Sequence, residues 1–123
     1  MELAIASLPS LLNASLVTIG LAVASMAAGL IVGLLVALVR IANVPVLAQI
    51  VRGYVSIIRG TPLLVQIYLV YYGLPQVGVN LDPIPSAIIA LSLNLSAYLS
   101  ESFRGAIESV PKGQTEAALS LGM

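Results

Sequence analysis

The chain has 123 residues and no net formal charge; 59% of the residues are hydrophobic, only 8% are charged, and the mean hydropathy is +1.08. A soluble domain carries about 25% charged residues, so this composition excludes a water-soluble globular protein and indicates one that lies in a bilayer. The absence of cysteine and histidine excludes disulfides and the usual zinc sites, and the zero net charge leaves no overall field that would attract nucleic acid.

The first predicted element is a membrane-spanning helix over about Leu11–Val39. No ionisable residue lies between Glu2 and Arg40, and a bilayer core of about 30 Å needs about 20 helical residues. The run is longer than that, so we expect the helix to tilt or to extend beyond the membrane. Residues 1–12 are predicted to form an N-terminal segment outside the core of the bilayer. They do not resemble a signal peptide, since their only charge is Glu2 and the apolar run is too long.

A ridge of small residues lies along this first helix. Its members recur every four positions and are Ser25, Gly29, Gly33 and Ala37. Small residues let membrane helices approach closely, so that dispersion and weak hydrogen bonds hold them together. We therefore interpret the ridge as a surface for packing against another helix and assign it no other role.

The second predicted element covers about 45–74 and consists of an inner stretch, a break near residue 60, and a membrane part over Thr61–Leu74. Gly60 and Pro62 both disfavour a continuous helix, and Thr61-Pro62 is typical of an N-cap followed by proline at the first helical position. One interpretation is structural, a kinked helix beside a snorkelling Arg59. The other is a hinge or gate at the inner face, and the residues alone leave both open.

The third predicted span is about Pro83–Val110, with Asp82 as its N-cap and Pro83 at its first position. Its middle and inner part carries the polar residues Asn94, Ser96, Tyr98 and Ser100, and lipid offers such groups no partner. Asn94 either bridges two helices, as polar residues in membranes often do, or lines a wet cavity. The sequence does not separate these two interpretations.

Three charged residues follow at the inner end of this span, where we expect the helix to project past the membrane. Glu101, Arg104 and Glu108 are spaced i, i+3 and i+7, so they share one face and Arg104 can pair with either carboxylate. We interpret Glu108 as part of an exposed ion pair, which contributes about 0–1 kcal/mol to stability. Glu101 lies deeper, where ionisable residues are usually functional, and its role stays open between an ion pair and a pathway residue.

The basic residues predict the orientation of the three spans. All five lie either in the connection between the first two spans or after Glu101, which is one side of the membrane. The positive-inside rule then places the N-terminus, with residues 1–12, outside and the C-terminus in the cytoplasm.

A series of short motifs continues to the last residues of the chain. In chain order they are Arg59-Gly60-Thr61-Pro62, Tyr98, Glu101, Arg104-Gly105-Ala106-Ile107, Ser109-Val110-Pro111-Lys112-Gly113-Gln114 and Glu116-Ala117-Ala118-Leu119-Ser120-Leu121-Gly122. Together they resemble the permease subunits of the polar amino-acid uptake family of ATP-binding-cassette (ABC) importers, of the histidine/glutamine permease type. The resemblance covers the chain from about Asn13 to the end.

The resemblance implies an all-α membrane protein with three transmembrane helices, in which residues 13–123 form a partial type-1 ABC transmembrane domain and 112–123 begin a cytoplasmic docking loop. In that loop Glu116 would supply a surface charge to the ATPase subunit, Ala117 and Ala118 a close-packing face, and Gly122 a turn. The candidate pathway or gate residues are Arg59, Thr61, Pro62, Asn94, Tyr98 and Glu101. Leu95 departs from the family pattern, which has a small or hydroxyl residue at that place.

The implied function is that of an importer component for amino acids, in the bacterial inner membrane as a multi-pass protein. The implied partners are the ABC ATPase subunit, a second permease subunit, identical or homologous, and a periplasmic amino-acid-binding protein. The docking motif stops one residue after Gly122, so the chain resembles a truncated permease. The alternatives are a fragment without transport activity and a small three-helix accessory membrane protein.

Nothing in the sequence predicts an enzyme. There is no phosphate-binding loop for ATP, no Ser/His/Asp set, and no spacing of acidic residues typical of a metal loop. We therefore expect no catalytic residue, no metal and no cofactor in this chain.

Overall fold

The computed structural model describes residues 1–123, and its regular structure is entirely helical. The α-helices are α1 (Glu2–Ala42), α2 (Leu47–Gly60), α3 (Leu63–Tyr68), α4 (Pro83–Glu108) and α5 (Lys112–Ser120). A π-helical turn over Leu69–Gly73 and a 3-10 turn over Leu74–Val77 continue α3. Helices α1 and α4 are long and apolar enough to cross a membrane, and the bent unit from α2 to Val77 makes a third span if it crosses as one. The predicted all-helical membrane fold is confirmed.

Helix α1 is longer at its start than the predicted span. It begins at Glu2 instead of near Leu11, and Pro9 lies inside it. The uncharged stretch between Glu2 and Arg40 sets no start for the helix within it, and residues 3–8 include two Leu and two Ala, which favour helix wherever they lie. A helix of this length must therefore tilt or extend beyond the membrane, as the sequence predicts.

An elbow of four residues joins α1 to α2. Asn43 ends α1 in the left-handed conformation (φ 51°, ψ 43°), and its N–H donates to the carbonyl of Arg40. Val46 has φ 67° and ψ −54°, and the N–H of Leu47 donates to the carbonyl of Pro45 at 2.7 Å. These values define a γ-turn of the rare, strained kind. The elbow reverses the chain so that α2 can return along α4.

The break predicted near residue 60 is present. Helix α2 ends at Gly60, α3 begins at Leu63, and the two arms are bent by 108°. One detail of the prediction is wrong: Thr61 is not the N-cap of α3. Its backbone is extended, Pro62 takes the N-cap position, and the Thr61 hydroxyl donates back to the carbonyl of Ile57 at 2.7 Å. The Thr61 hydroxyl replaces a missing backbone donor, because the carbonyls in the last turn of a helix have no N–H four residues further along the helix.

Helices α1 and α4 pack closely along two small-residue faces. Ser25, Gly29, Gly33 and Ala37 are all buried, as predicted for a packing ridge. Opposite them, Ser92, Ser96 and Ser100 recur every four positions on α4 and are also buried. Each serine hydroxyl donates to a carbonyl of its own helix, so these polar side chains are satisfied without a partner on α1. Because both faces carry only small side chains, α1 and α4 can approach each other closely.

The remaining core is small and lies where α2 crosses α1 and α4. Val36, Val55 and Ala97 are buried there, one from each helix, and Tyr54 packs against them. The Tyr54 hydroxyl bonds to the carbonyl of Leu93 and to the hydroxyl of Ser96 at 2.9 and 2.5 Å. These two hydrogen bonds hold α2 against α4, beside the break that follows α2.

Candidate functional site

One face of α4 carries three of the candidate residues and turns them towards the broken helix. Asn94, Tyr98 and Glu101 are spaced i, i+4 and i+7, which places them on one stripe of a helix. Asn94 contacts Gln66, Tyr98 contacts Arg59, and Glu101 contacts both Arg40 and Arg59. The other three candidates, Arg59, Thr61 and Pro62, form the break itself. Tyr98 and Glu101 thus reach Arg59 directly, and Asn94 reaches the break through Gln66.

Tyr98 lies against the last turn of α2. Its hydroxyl donates to the carbonyl of Arg59 at 3.4 Å, and the Arg59 guanidinium lies 5.5 Å from the centre of the Tyr98 ring. That distance is typical of a cation–π contact. The Arg59 side chain is half-exposed, so its charge can reach solvent or headgroups. Its backbone carbonyl has no helical donor and accepts the hydrogen bond from Tyr98 instead.

Asn94 bridges two helices through Gln66, a residue that the sequence analysis missed. The Asn94 amide Nδ2 donates to Gln66 Oε1 at 3.1 Å. Gln66 Nε2 donates in turn to the carbonyls of Ile58 at 2.7 Å and Thr61 at 3.1 Å. A lone amide within an apolar helix, four residues after Pro62, was the signal available in the sequence, since lipid offers such a group no partner.

Asn94 thus bridges two helices, and it also lines a cavity between α1 and α4. The cavity has a volume of about 420 Å³ and is mostly apolar. Its other polar lining residues are Thr18 and Ser25, and Ser25 is only 1% exposed with a hydroxyl that has no hydrogen-bond partner. The cavity is thus an apolar pocket with the polar side chains of Thr18 and Asn94 on its lining, while the Ser25 hydroxyl is buried in its wall.

Glu101 is the centre of a cluster of arginines at the inner end of the helices. It pairs with Arg40 of α1 and, at 2.9 Å, with Arg104 of its own helix, and Arg59 of α2 lies 4.0 Å away. Arg104 also pairs with Glu108 at 2.8 Å, so it contacts both carboxylates of the predicted stripe. The pairing with Arg40 was missed, although opposite charges at the inner ends of two spans were the signal for it. The cluster ties α1, α2 and α4 together at one level.

The terminal segment forms the short helix α5 followed by a tight turn. Gly122 has φ 78°, its N–H donates to the carbonyl of Leu119, and the N–H of Met123 donates to the carbonyl of Ala118, both at 3.0 Å. This pair of bonds defines a Schellman motif with glycine at the left-handed position. The turn predicted for Gly122 is therefore present.

Helix α5 offers an exposed surface. Glu116 and Ala117 are exposed and Ala118 is partly covered. Leu119 and Leu121, which the sequence analysis did not single out, are exposed as well, Leu121 at 79%. Helix α5 and the turn after it thus carry one acidic, two small and two apolar side chains within six residues, 116–121.

Comparison with known proteins identifies relatives that match most of the chain. Residues 29–123 match the family described as "Binding-protein-dependent transport system inner membrane component". The L-cystine transport system permease protein TcyB of Bacillus subtilis is 51% identical over 86% of this chain and 45% of its own length. The glutamine transport system permease protein GlnP of Escherichia coli is 33% identical over 95% of this chain and 54% of its own length. The chain therefore spans about half the length of these curated relatives.

A solved structure shares the fold. It is described as the crystal structure of an amino acid ABC transporter with histidines, and it superposes with a TM-score of 0.75 at 36% identity. The match covers 93% of this chain and 56% of that one.

Proposed function

Since this chain belongs to the family of inner membrane components of binding-protein-dependent transport systems, we propose that the protein containing it is a permease subunit of an ABC importer for amino acids. The observation that carries the proposal is the identity to amino-acid permeases along nearly the whole chain, 51% to the cystine permease and 33% to the glutamine permease. The chain is an integral membrane protein of a transport family. In the proposal it forms part of the translocation pathway and catalyses no reaction itself.

The proposed location is the bacterial inner membrane, with the N-terminus outside and the C-terminus in the cytoplasm. The arginine cluster around Glu101 supports this orientation, because it gathers Arg40, Arg59 and Arg104 at one level of the bundle. Positive charge favours the cytoplasmic side. Residues 1–12 are then periplasmic, and 13–123 belong to the type-1 transmembrane domain.

The proposed contact with the ATPase subunit is α5 and its terminal turn. Glu116, Ala117, Ala118 and Gly122 are the residues of the docking motif, and their placement on an exposed helix with neighbouring apolar side chains suits insertion into a groove. ATP-driven motion of the ATPase would reach the bundle through α4, which precedes α5 directly.

The proposed pathway runs beside the face of α4 that carries Asn94, Tyr98 and Glu101, with Arg59, Thr61 and Pro62 as the gate opposite. The cavity at Asn94 supports this proposal, since it places polar groups within the bundle. Non-helical backbone, such as that of the break, is tolerated at membrane depth where it is buried in protein or lines a cavity. Many apolar side chains on the outer faces are exposed, which suits burial against lipid and a second permease subunit. A periplasmic amino-acid-binding protein would deliver the substrate.

Uptake by the purified transporter tests the proposal. The natural gene product that contains these residues is reconstituted in proteoliposomes with its ATPase and binding protein, and uptake of radiolabelled cystine, arginine and glutamine is measured with and without ATP. ATP-dependent uptake of at least one of them is the expected result. Assembly of the complex with no ATP-dependent uptake of any amino acid would contradict it.

A further inference from the structure

The break between α2 and α3 leaves backbone carbonyls that no helical N–H reaches. The last four carbonyls of any α-helix lack such a donor, and Pro62 has no N–H to give. In a bilayer each unmet carbonyl costs several kcal/mol, so broken helices are tolerated only where side chains restore the bonds. The groups that donate hydrogen bonds to these carbonyls therefore hold the bend in place.

Three side chains supply the donors. The Thr61 hydroxyl donates to Ile57 at 2.7 Å, and the Tyr98 hydroxyl donates to Arg59 at 3.4 Å. Gln66 donates to the carbonyl of Ile58 on α2, which also accepts the Thr61 N–H at 3.3 Å, and to the carbonyl of Thr61 just past the end of α2. Gln66 alone thus reaches both sides of the break.

Every hydrogen-bonding group of the Gln66 amide is used. Its nitrogen serves the two carbonyls, its oxygen accepts from Asn94 on α4 at 3.1 Å, and the residue is only 7% exposed. An amide has one oxygen and two N–H donors. A rotation of α4 that moves Asn94 must therefore break its bond to Gln66 or pull Gln66 away from the bend.

We propose that Gln66 is a positioning residue that clamps the bend between α2 and α3 and, through Asn94, couples the angle of the bend to the position of α4. This inference rests on the proposed function, because the coupling has a use only where α4 carries motion from α5 to the gate. The clamp differs from the gate residues around it: Gln66 touches no substrate in this account and acts through the backbone of residues 58–61.

The test measures the bend directly. These 123 residues contain no cysteine, so Ile50→Cys on α2 and Val77→Cys after α3 give two exposed labelling sites on either side of the break. Pulsed electron paramagnetic resonance on the natural gene product, assembled with its ATPase and binding protein, gives the distribution of distances between the two spin labels. The second readout is amino acid taken up per ATP hydrolysed.

Two variants remove opposite ends of the clamp. Gln66→Met leaves the Thr61 carbonyl without a donor and the Ile58 carbonyl with only the Thr61 N–H at 3.3 Å. Asn94→Leu keeps the Gln66 donors but frees Gln66 from α4. We expect each to widen the distance distribution about twofold and to lower uptake per ATP about tenfold, a size typical of coupling between sites. The double variant should be no worse than Gln66→Met, since residues that act as a pair are not additive.

Ser15→Ala is the matched control, because its hydroxyl is exposed and bonds only to Leu11 of its own helix. An unchanged distance distribution and an unchanged uptake ratio in Asn94→Leu would overturn the coupling, even if Gln66→Met failed to fold. If the wild-type protein assembled without transporting amino acids, the proposed function would be wrong. The distance distributions of the variants would still test whether Gln66 and Asn94 hold the bend.

Discussion

Among single residues, Val46 has a backbone conformation that its side chain disfavours. A positive φ is an outlier for a β-branched residue, and such strain costs about 1–3 kcal/mol. Val46 is 71% exposed, so its side chain gains little from packing. The strain is the cost of reversing the chain between α1 and α2 within four residues.

Replacing Val46 by glycine should therefore stabilise the protein. Glycine adopts positive φ without strain but loses more freedom on folding, so we expect the free energy of unfolding to rise by about 1 kcal/mol. Thermal unfolding of the detergent-solubilised protein measures the change. Val46→Ala is the control, since it keeps a β-carbon and most of the strain; equal stabilisation by alanine and glycine would mean that the γ-turn is not the cause.

Glu101 shows how one acidic residue can hold three helices at their inner ends. Its partners Arg40, Arg104 and Arg59 come from α1, α4 and α2. Removing one member of a partly buried ion pair costs more than the pair itself contributes, because the remaining charges lose their partner. The cluster is thus a structural hub as well as part of the candidate gate.

At the scale of the helices, the α1–α4 contact depends on the absence of side chains at two glycines. A β-carbon on Gly29 would lie 2.9 Å from the Leu95 β-carbon, and one on Gly33 would lie 3.0 Å from the Ser96 carbonyl oxygen. Both distances are shorter than ordinary contacts, and the second is to backbone, which cannot move aside. Leu95, the departure from the family pattern, lies directly at this contact.

Gly29→Leu and Gly33→Leu should impair packing while leaving insertion intact. Overpacking costs about 1–3 kcal/mol or more per site, and neither change lowers the hydrophobicity of α1. The measurement is recovery of folded, monodisperse protein after detergent extraction from membranes that contain equal amounts of each variant. Gly20→Leu is the matched control, since nothing lies within 4 Å of a β-carbon there. Wild-type recovery of both ridge variants would count against the contact.

The helices and their small-residue ridge could be predicted because they depend on local patterns. Gaps between charged residues, Gly60 and Pro62, and the four-residue spacing from Ser25 to Ala37 are all visible along the chain. The partners of polar groups could not be predicted in the same way. Gln66–Asn94 and Arg40–Glu101 join residues 28 and 61 positions apart, and only the packing of α4 against the other helices brings them together.

At the scale of the whole molecule, the arginine cluster and α5 predict the same orientation. A reporter fused after Met123 should be active when it requires the cytoplasm and inactive when it requires the periplasm, because all five basic residues lie on that side. A fusion after Gly78, in the loop before α4, is the matched control and should give the reverse. Periplasmic activity of the Met123 fusion would contradict the orientation and the docking role of α5 together.

We propose that this chain is part of a permease whose α5 docks on an ATPase subunit. Glu116→Lys reverses the exposed charge of the motif, and Gly122→Val forces a β-branched residue to φ 78° in the terminal turn. Gln114→Lys adds the same charge on the opposite side of α5, since two residues turn a helix by about 200°. None of these changes touches a membrane span, so all variants should insert equally.

Co-purification of the ATPase with the tagged natural gene product tests this claim most directly. Small errors of charge and shape at the centre of an interface cost affinity, so we expect Glu116→Lys and Gly122→Val each to lower the ATPase recovered per permease about tenfold, a loss of about 1.4 kcal/mol. Gln114→Lys should recover as much ATPase as the wild type. Equal recovery from all four proteins would contradict the account, because Glu116–Gly122 would then be only an exposed helix end.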